Sequence, residues 1–183
     1  MKKFYLMMIF TFLCAGTYAQ TNYDDFVGAW VYQKNDTVFK IKLQKGRSLS
    51  CYGDRDKLFG GYYLSVKGEV REDFIRPIPF EWEVGRSSAP SNNIYINALG
   101  TTPDWVGFTF YDQSKKHLDG KGITGGEMKL ISPTRLHWTL DELSGLRWTL
   151  GYGLWIRDEN MQAIRKETLR GFSVPVDVIM VKE

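Results

Sequence analysis

Glu81 and Glu83 flank Trp82, and on a strand their side chains stand about 7 Å apart on one face. Two carboxylates at that separation can serve as an acid/base pair across a sugar, which would make the chain an enzyme on glycans if either faced a cleft. The alternation that buries Trp82 puts both glutamates in solvent, so the pattern favours a wet strand face. Asp54-Arg55-Asp56 begins like a calcium loop, but the oxygen ligands that should follow are missing, which leaves a polar turn. His117 lies in a Lys115-Lys116-His117 loop and His137 shares a strand face with Arg135. Neither has a second ligand at useful spacing, and a zinc site needs three or four. Cys51 has no histidine base beside it in the chain. Gly120-Lys121-Gly122 lacks the strand-to-helix setting of a phosphate loop, and no Gly-x-Ser-x-Gly elbow occurs. No set of residues has the spacing and setting of a catalytic, metal or phosphate site, so the sequence predicts no enzyme, no metal and no cofactor.

The address is more legible than the chemistry. Lys2 and Lys3 precede an apolar run, Phe4 to Ala15, that closes on Gly16-Thr17-Tyr18-Ala19. This reads as a secretory signal over 1–19, cleaved before Gln20, and the run is too short to span a bilayer. The expected mature protein is a single domain over 20–183 in the periplasm or outside the cell, with no transmembrane span. The bulky Leu13 before Cys14 argues against lipid attachment. Cys51 is then the one mature thiol, a small buried hydrophobe rather than half of an internal disulfide. Of 24 basic residues Lys2 and Lys3 leave with the signal, which sets 22 against 21 acidic ones. That balance excludes a dedicated nucleic-acid binder.

The elements that would position any site are short strands. Ala29–Gln33 is followed by the turn pair Asn35-Asp36, and Phe39, Ile41 and Leu43 alternate with Lys40, Lys42 and Gln44. Gly60-Gly61 opens a run in which Tyr62, Leu64 and Val66 share a face. The same period of two groups Phe80 with Trp82 and Val84, Ile94 with Ile96 and Ala98, and Val106 with Phe108 and Phe110; Leu136, Trp138 and Leu140 close the series. One helix is expected after Asp158, with Met161, Ile164 and Leu169 on one face and Gly171 as its stop. A valine-rich strand, Phe172 to Val181, ends the chain. The fold class is all-β: an antiparallel meander closing into a barrel, or a barrel-like sandwich, of about 8–10 strands with one short C-terminal helix.

Gly28-Ala29-Trp30 at the opening of the first strand is similar to the Gly-x-Trp of the lipocalin and calycin families, and Arg157 resembles the arginine that packs over that tryptophan. The resemblance implies a lipocalin-like barrel closed by a Trp30–Arg157 pair. The family's Thr-Asp-Tyr loop motif and disulfide cysteines are not in this chain. Phe26–Trp30, Asp56–Tyr63 and Phe172–Pro175 also resemble a family of small exported bacterial proteins of unknown function, which brings no activity with it.

In a barrel, Trp30, Phe39, Tyr62, Trp82, Phe108, Phe110 and Trp138 would point inward, where they fill the core or line a ligand cavity. The expected function is therefore non-enzymatic binding of a small apolar or amphipathic ligand. The alternative is a protein-interaction module, an inhibitor or envelope-assembly factor, that docks through the aromatic loops near Trp105 and Trp155.

Overall fold

The computed structural model describes residues 22–50, 53–83, 93–120, 122–141, 155–157, 163–165 and 170–183. The leader, Cys51, the polar loop 85–92 and the glycine-interrupted stretch before Trp155 lie outside the described residues. In chain order the strands are β1 (Gly28–Lys34), β2 (Thr37–Leu49), β3 (Arg55–Val66), β4 (Glu69–Asp73), β5 (Glu81–Glu83), β6 (Ile96–Thr102), β7 (Trp105–Phe110), β8 (Ile123–Ser132), β9 (Arg135–Leu140), β10 (Trp155–Arg157), β11 (Ala163–Arg165) and β12 (Asp177–Lys182). A 3-10 turn, Tyr23–Asp25, precedes β1, and a single helical turn, α1 (His117–Gly120), sits between β7 and β8. Among the described residues no helix is long and apolar enough to cross a membrane.

Eight strands close on themselves in the order β1-β2-β3-β6-β7-β8-β9-β12, and every neighbouring pair, including β12 with β1, is antiparallel. Closure removes the free edges that an open sheet would present. β2 and β3 are long enough to outrun their barrel neighbours, so each carries an extra strand: β4 lies antiparallel on β3 and β5 lies parallel on β2. β10 and β11 form a separate two-stranded sheet.

The expected alternation is what builds the core. Phe39, Ile41 and Leu43 on β2, Ile96 and Ala98 on β6, Val106, Phe108 and Phe110 on β7, and Leu136, Trp138 and Leu140 on β9 all face inward and are buried. Lys42, on the other face of β2, is exposed. Eight strands enclose an interior just wide enough for side chains to fill, and aromatic rings fill this one. Trp138 lies 4.4 Å from Phe108, 5.4 Å from Phe39 and 5.8 Å from Phe110 between ring centroids.

Several local expectations are corrected. No helix occupies Ala163–Arg165, which pair instead with Trp155–Arg157; Met161 and Leu169 of the expected helix lie outside the described residues. Gly60 and Gly61 lie inside β3 rather than opening it, and crowding is the reason. A Cβ on Gly60 would stand 2.7 Å from Leu43 Cδ2, and one on Gly61 2.2 Å from the Phe74 carbonyl oxygen. Arg55 and Asp56 begin β3 rather than a turn, and Asp56 meets Arg47 across the pair. Phe80 is exposed, because β5 begins only at Glu81 and Phe80 falls outside its alternation. The last strand spans Asp177–Lys182, shorter than the expected run from Phe172.

Gly126 of β8 pairs with Phe108, and a Cβ there would fall 2.2 Å from the Phe108 ring. Gly126→Ala must therefore displace a ring wedged against Trp138, at a cost of about 1–3 kcal/mol. A lower urea midpoint with an unchanged m-value would show it.

Candidate functional site

Six of the seven inward aromatics come together. Trp30, Phe39, Tyr62, Phe108, Phe110 and Trp138 belong to one buried cluster, whereas Trp82 packs with Phe59 and Ile94 in a separate small one. The Trp82 ring meets Phe59 edge-on at 5.9 Å. Glu81 and Glu83 on either side stand in solvent.

Arg157 lies on β10, and its side chain is outside the described residues. A different cation sits over Trp30: Lys182 Nζ is 5.0 Å from the ring centroid and also donates to the Asp25 carbonyl at 3.0 Å. Trp30 and Lys182 are direct partners in the β1–β12 register. The Trp30 indole N–H donates to the Phe26 carbonyl at 2.8 Å, which fixes the 3-10 turn region against the ring. Sequence reasoning missed Lys182 because only closure of the first strand on the last makes the two residues neighbours.

A buried polar set joins β3 and β4 to the segments after β7 and before β12. Tyr62 Oη donates to Glu72 Oε2 at 2.5 Å and accepts from the Gln113 amide at 3.0 Å. Asp112 accepts from the Lys115 amide at 2.8 Å and the Ser173 amide at 2.6 Å. His117 Nε2 lies 2.9 Å from the Gly171 carbonyl oxygen. Burial pushes the Tyr62 hydroxyl far above its ordinary pKa, and the bond to Glu72 adds to the shift. Burial also raises Tyr111, against a hydrogen bond with Asn97 that lowers it. These bonds are spent inside the protein, so the set works as a fastening. His137, on the outer face of β9, meets Asp177 of β12 at 2.7 Å. Among the described residues no three His, Cys, Asp or Glu side chains gather as metal ligands.

Among the described residues, two hollows lie on the outer face of the barrel wall. One hollow of about 460 Å³ spans Lys57 of β3, Asn97 and Leu99 of β6, Gly107 and Thr109 of β7, and Glu127 of β8. A second, of about 330 Å³, shares Glu127 and continues over Trp105, Asp104, Lys129, His137 and Thr139. Register explains the first. Gly107 stands opposite Leu99 on one side and Glu127 on the other, with Trp105 and Thr109 two residues away on the same face. An outward side chain at 107 would occupy the space; glycine leaves it empty. Nothing in the fold requires that glycine, since its backbone is not left-handed and a Cβ would meet only the Gly126 carbonyl oxygen at 3.9 Å. Lys57 Nζ donates to Asn97 Oδ1 at 3.2 Å, and its pKa is lowered by burial and then by neighbouring Arg55.

The fold and these sites define a closed, aromatic-filled, eight-stranded antiparallel barrel with its recesses on the outer wall. The chain belongs to a family of unknown function, DUF6705, whose model matches residues 1–183. Comparison with curated proteins finds no match, and comparison with solved structures finds none either.

The Tyr62 hydroxyl keeps its proton in the native state beyond the pKa of 10.0 that it has when solvated. The unfolded chain therefore binds fewer protons above that pH, so the stability is intact below pH 10 and falls as pH rises past it. Tyr62→Phe should flatten that alkaline decline while costing about 1–3 kcal/mol at neutral pH, because Glu72 loses its buried donor. Urea titrations at pH 7 and at successive pH values above 10 would test both effects. Gly107→Ala should change stability in the opposite sense from Gly126→Ala, by about 0.5–1 kcal/mol in favour of the fold, read in the same assay.

Proposed function

We propose that this chain is an exported, non-catalytic barrel that holds an amphipathic ligand on its outer wall, in the hollow centred on Gly107. The observation that carries the reading is a glycine kept at the middle of a strand where neither backbone nor packing calls for one. Glycine in a strand interior weakens the strand and often marks a bulge, a bend or a close approach to the backbone; the nearby register shift falls at Phe108/Thr109, not at Gly107. Here the approach is from outside, over a surface that offers both apolar and polar contacts: Leu99 and Trp105 beside Lys57 and Glu127.

The close packing of Phe39, Phe108, Phe110 and Trp138 favours the outer wall over the interior as the place for a ligand. Trp105, which the sequence offers as a protein-docking residue, lines the second recess and so serves the same surface. Export rests on the leader, Lys2 to Ala19. The eight-strand closure and the Gly28-Ala29-Trp30 opening support kinship with calycins. Glu81 and Glu83, which stand in solvent, and histidines that meet a backbone carbonyl and a surface aspartate support the non-catalytic reading.

Native mass spectrometry of protein purified from its own envelope tests the reading. The wild-type chain is expected to carry a retained adduct, and Gly107→Leu, which fills the hollow, is expected to lose at least nine-tenths of it. An adduct equally abundant on both proteins, or present on neither, would sink the proposal.

A further inference from the structure

We infer that the ligand of this outer wall is an uncharged oligosaccharide; the inference rests on the binding reading above and names the chemistry it would recognise. The two recesses meet at Glu127 and together cross β3, β6, β7, β8 and β9. Five adjacent strands at ~4.8 Å spacing make a track of about 19 Å along the curve of the barrel wall. That length suits a chain of several rings rather than a single small molecule.

Charge along the track is balanced. Lys57 and Lys129 face it with two positive charges, Asp104 and Glu127 with two negative ones, and His137 is already engaged by Asp177. A polyanion or polycation would gain from half of these groups and be repelled by the other half. An apolar tail would want the enclosure typical of small-molecule pockets, whereas this track is an open trough. An extended peptide would seek unpaired strand edges, whereas each of the five strands has a neighbour on both sides, and on β6 beyond its Ile96–Ala98 pairing with β3 the Gly100 amide is taken by the Tyr23 hydroxyl at 2.9 Å.

Sugar hydroxyls answer what remains. Each is donor and acceptor at once, so it can meet a carboxylate, an ammonium, an amide or a threonine hydroxyl. Three of the groups that would bind them are already held in place: Lys57 by Asn97 at 3.2 Å, Asp104 by the Thr102 hydroxyl at 2.9 Å, His137 by Asp177 at 2.7 Å. Holding them lowers the ordering cost of association. Between them, Gly107 gives a flat floor and Trp105 an apolar ring, surfaces on which the C–H face of a pyranose can lie.

The test is an NMR titration of the nitrogen-15-labelled chain with neutral tetrasaccharides of glucose, N-acetylglucosamine, mannose and xylose, with tetragalacturonate as the anionic control. At least one neutral tetrasaccharide should shift the Gly107 amide and the Trp105 indole saturably, with tetragalacturonate at least tenfold weaker. Gly107→Leu should weaken that binding at least tenfold. If Gly107→Leu loses the folded spectrum, Glu127→Ala, on an exposed side chain, is read for the same loss. Silence from the whole neutral panel, equal binding of tetragalacturonate, or affinity unmoved by these substitutions overturns the inference. The binding reading stands apart from that result. A Gly107-dependent adduct in the mass spectrum with a silent panel would leave the surface a binding site for another chemistry, and no adduct with a silent panel would remove both.

Discussion

Trp138 stands where the rings of Phe39, Phe108 and Phe110 converge, and the volume inside eight strands is the constraint on which the rest of this structure depends. A barrel of this strand number has room for its own side chains or for one small ligand, and here large rings take the space around Trp138. Each ring that enters must be matched by an absence nearby. Phe108 takes the space that a side chain on Gly126 would need, and Phe59 takes the space over Gly46, where a Cβ would fall 2.2 Å from its ring. Aromatic and glycine are therefore a single packing choice made at two positions. Edge-on and tilted ring pairs of this kind contribute about 0.5–1.5 kcal/mol each beyond the area they bury, and they fix the register of the strands that bring them together.

Filling the interior also requires that the first strand find the last. The β1–β12 seam does this with contacts that only a closed barrel can make. Lys182 covers the Trp30 ring, the Glu183 amide donates to the Ala29 carbonyl at 3.0 Å, and the Glu183 carboxylate meets Lys40 at 2.6 Å. The ion pair is half exposed and contributes at most about 1 kcal/mol. The cation over the indole adds about the same where solvent reaches it. Backbone pairing and the burial of Trp30 and Met180 carry the seam, with the charges setting its alignment. The Tyr62–Glu72 and Asp112–Ser173 bonds fasten the loops over the barrel as the seam fastens its wall.

What the sequence made legible follows from distance along the chain. Period-two alternation is local, so the inward faces of β2, β7 and β9 could be read from Phe39-Ile41-Leu43, Val106-Phe108-Phe110 and Leu136-Trp138-Leu140. β4 escaped because its buried residue is Glu72 rather than an apolar one, and a glutamate held by Tyr62 looks like a solvated charge until the pairing is known. The expected helix failed because Met161, Ile164 and Leu169 match a helical face by spacing alone, and short apolar runs do not separate helix from strand. Lys182 over Trp30 stayed hidden because its parts come from the first and last barrel strands, and the outer trough because it lies on the wet side of the sheet, where polar residues are expected anyway.

The trough matters because of how glycine is used elsewhere in the wall. At Gly60, Gly61 and Gly126 a side chain would collide with its surroundings, and the fold accounts for the residue. Gly107 faces the other way. It gives up the packing and the strand propensity that threonine or valine would bring, at a site flanked by Leu99 and Glu127 with room for either. Packing gives no reason for glycine there, because a Cβ would meet only the Gly126 carbonyl oxygen at 3.9 Å. What glycine yields there is a depression bordered by Lys57, which Asn97 holds, and by Glu127. With Phe39, Phe108 and Phe110 packed around Trp138 inside, the outer wall is the surface with room to spare, and Gly107 lines the larger of its two hollows.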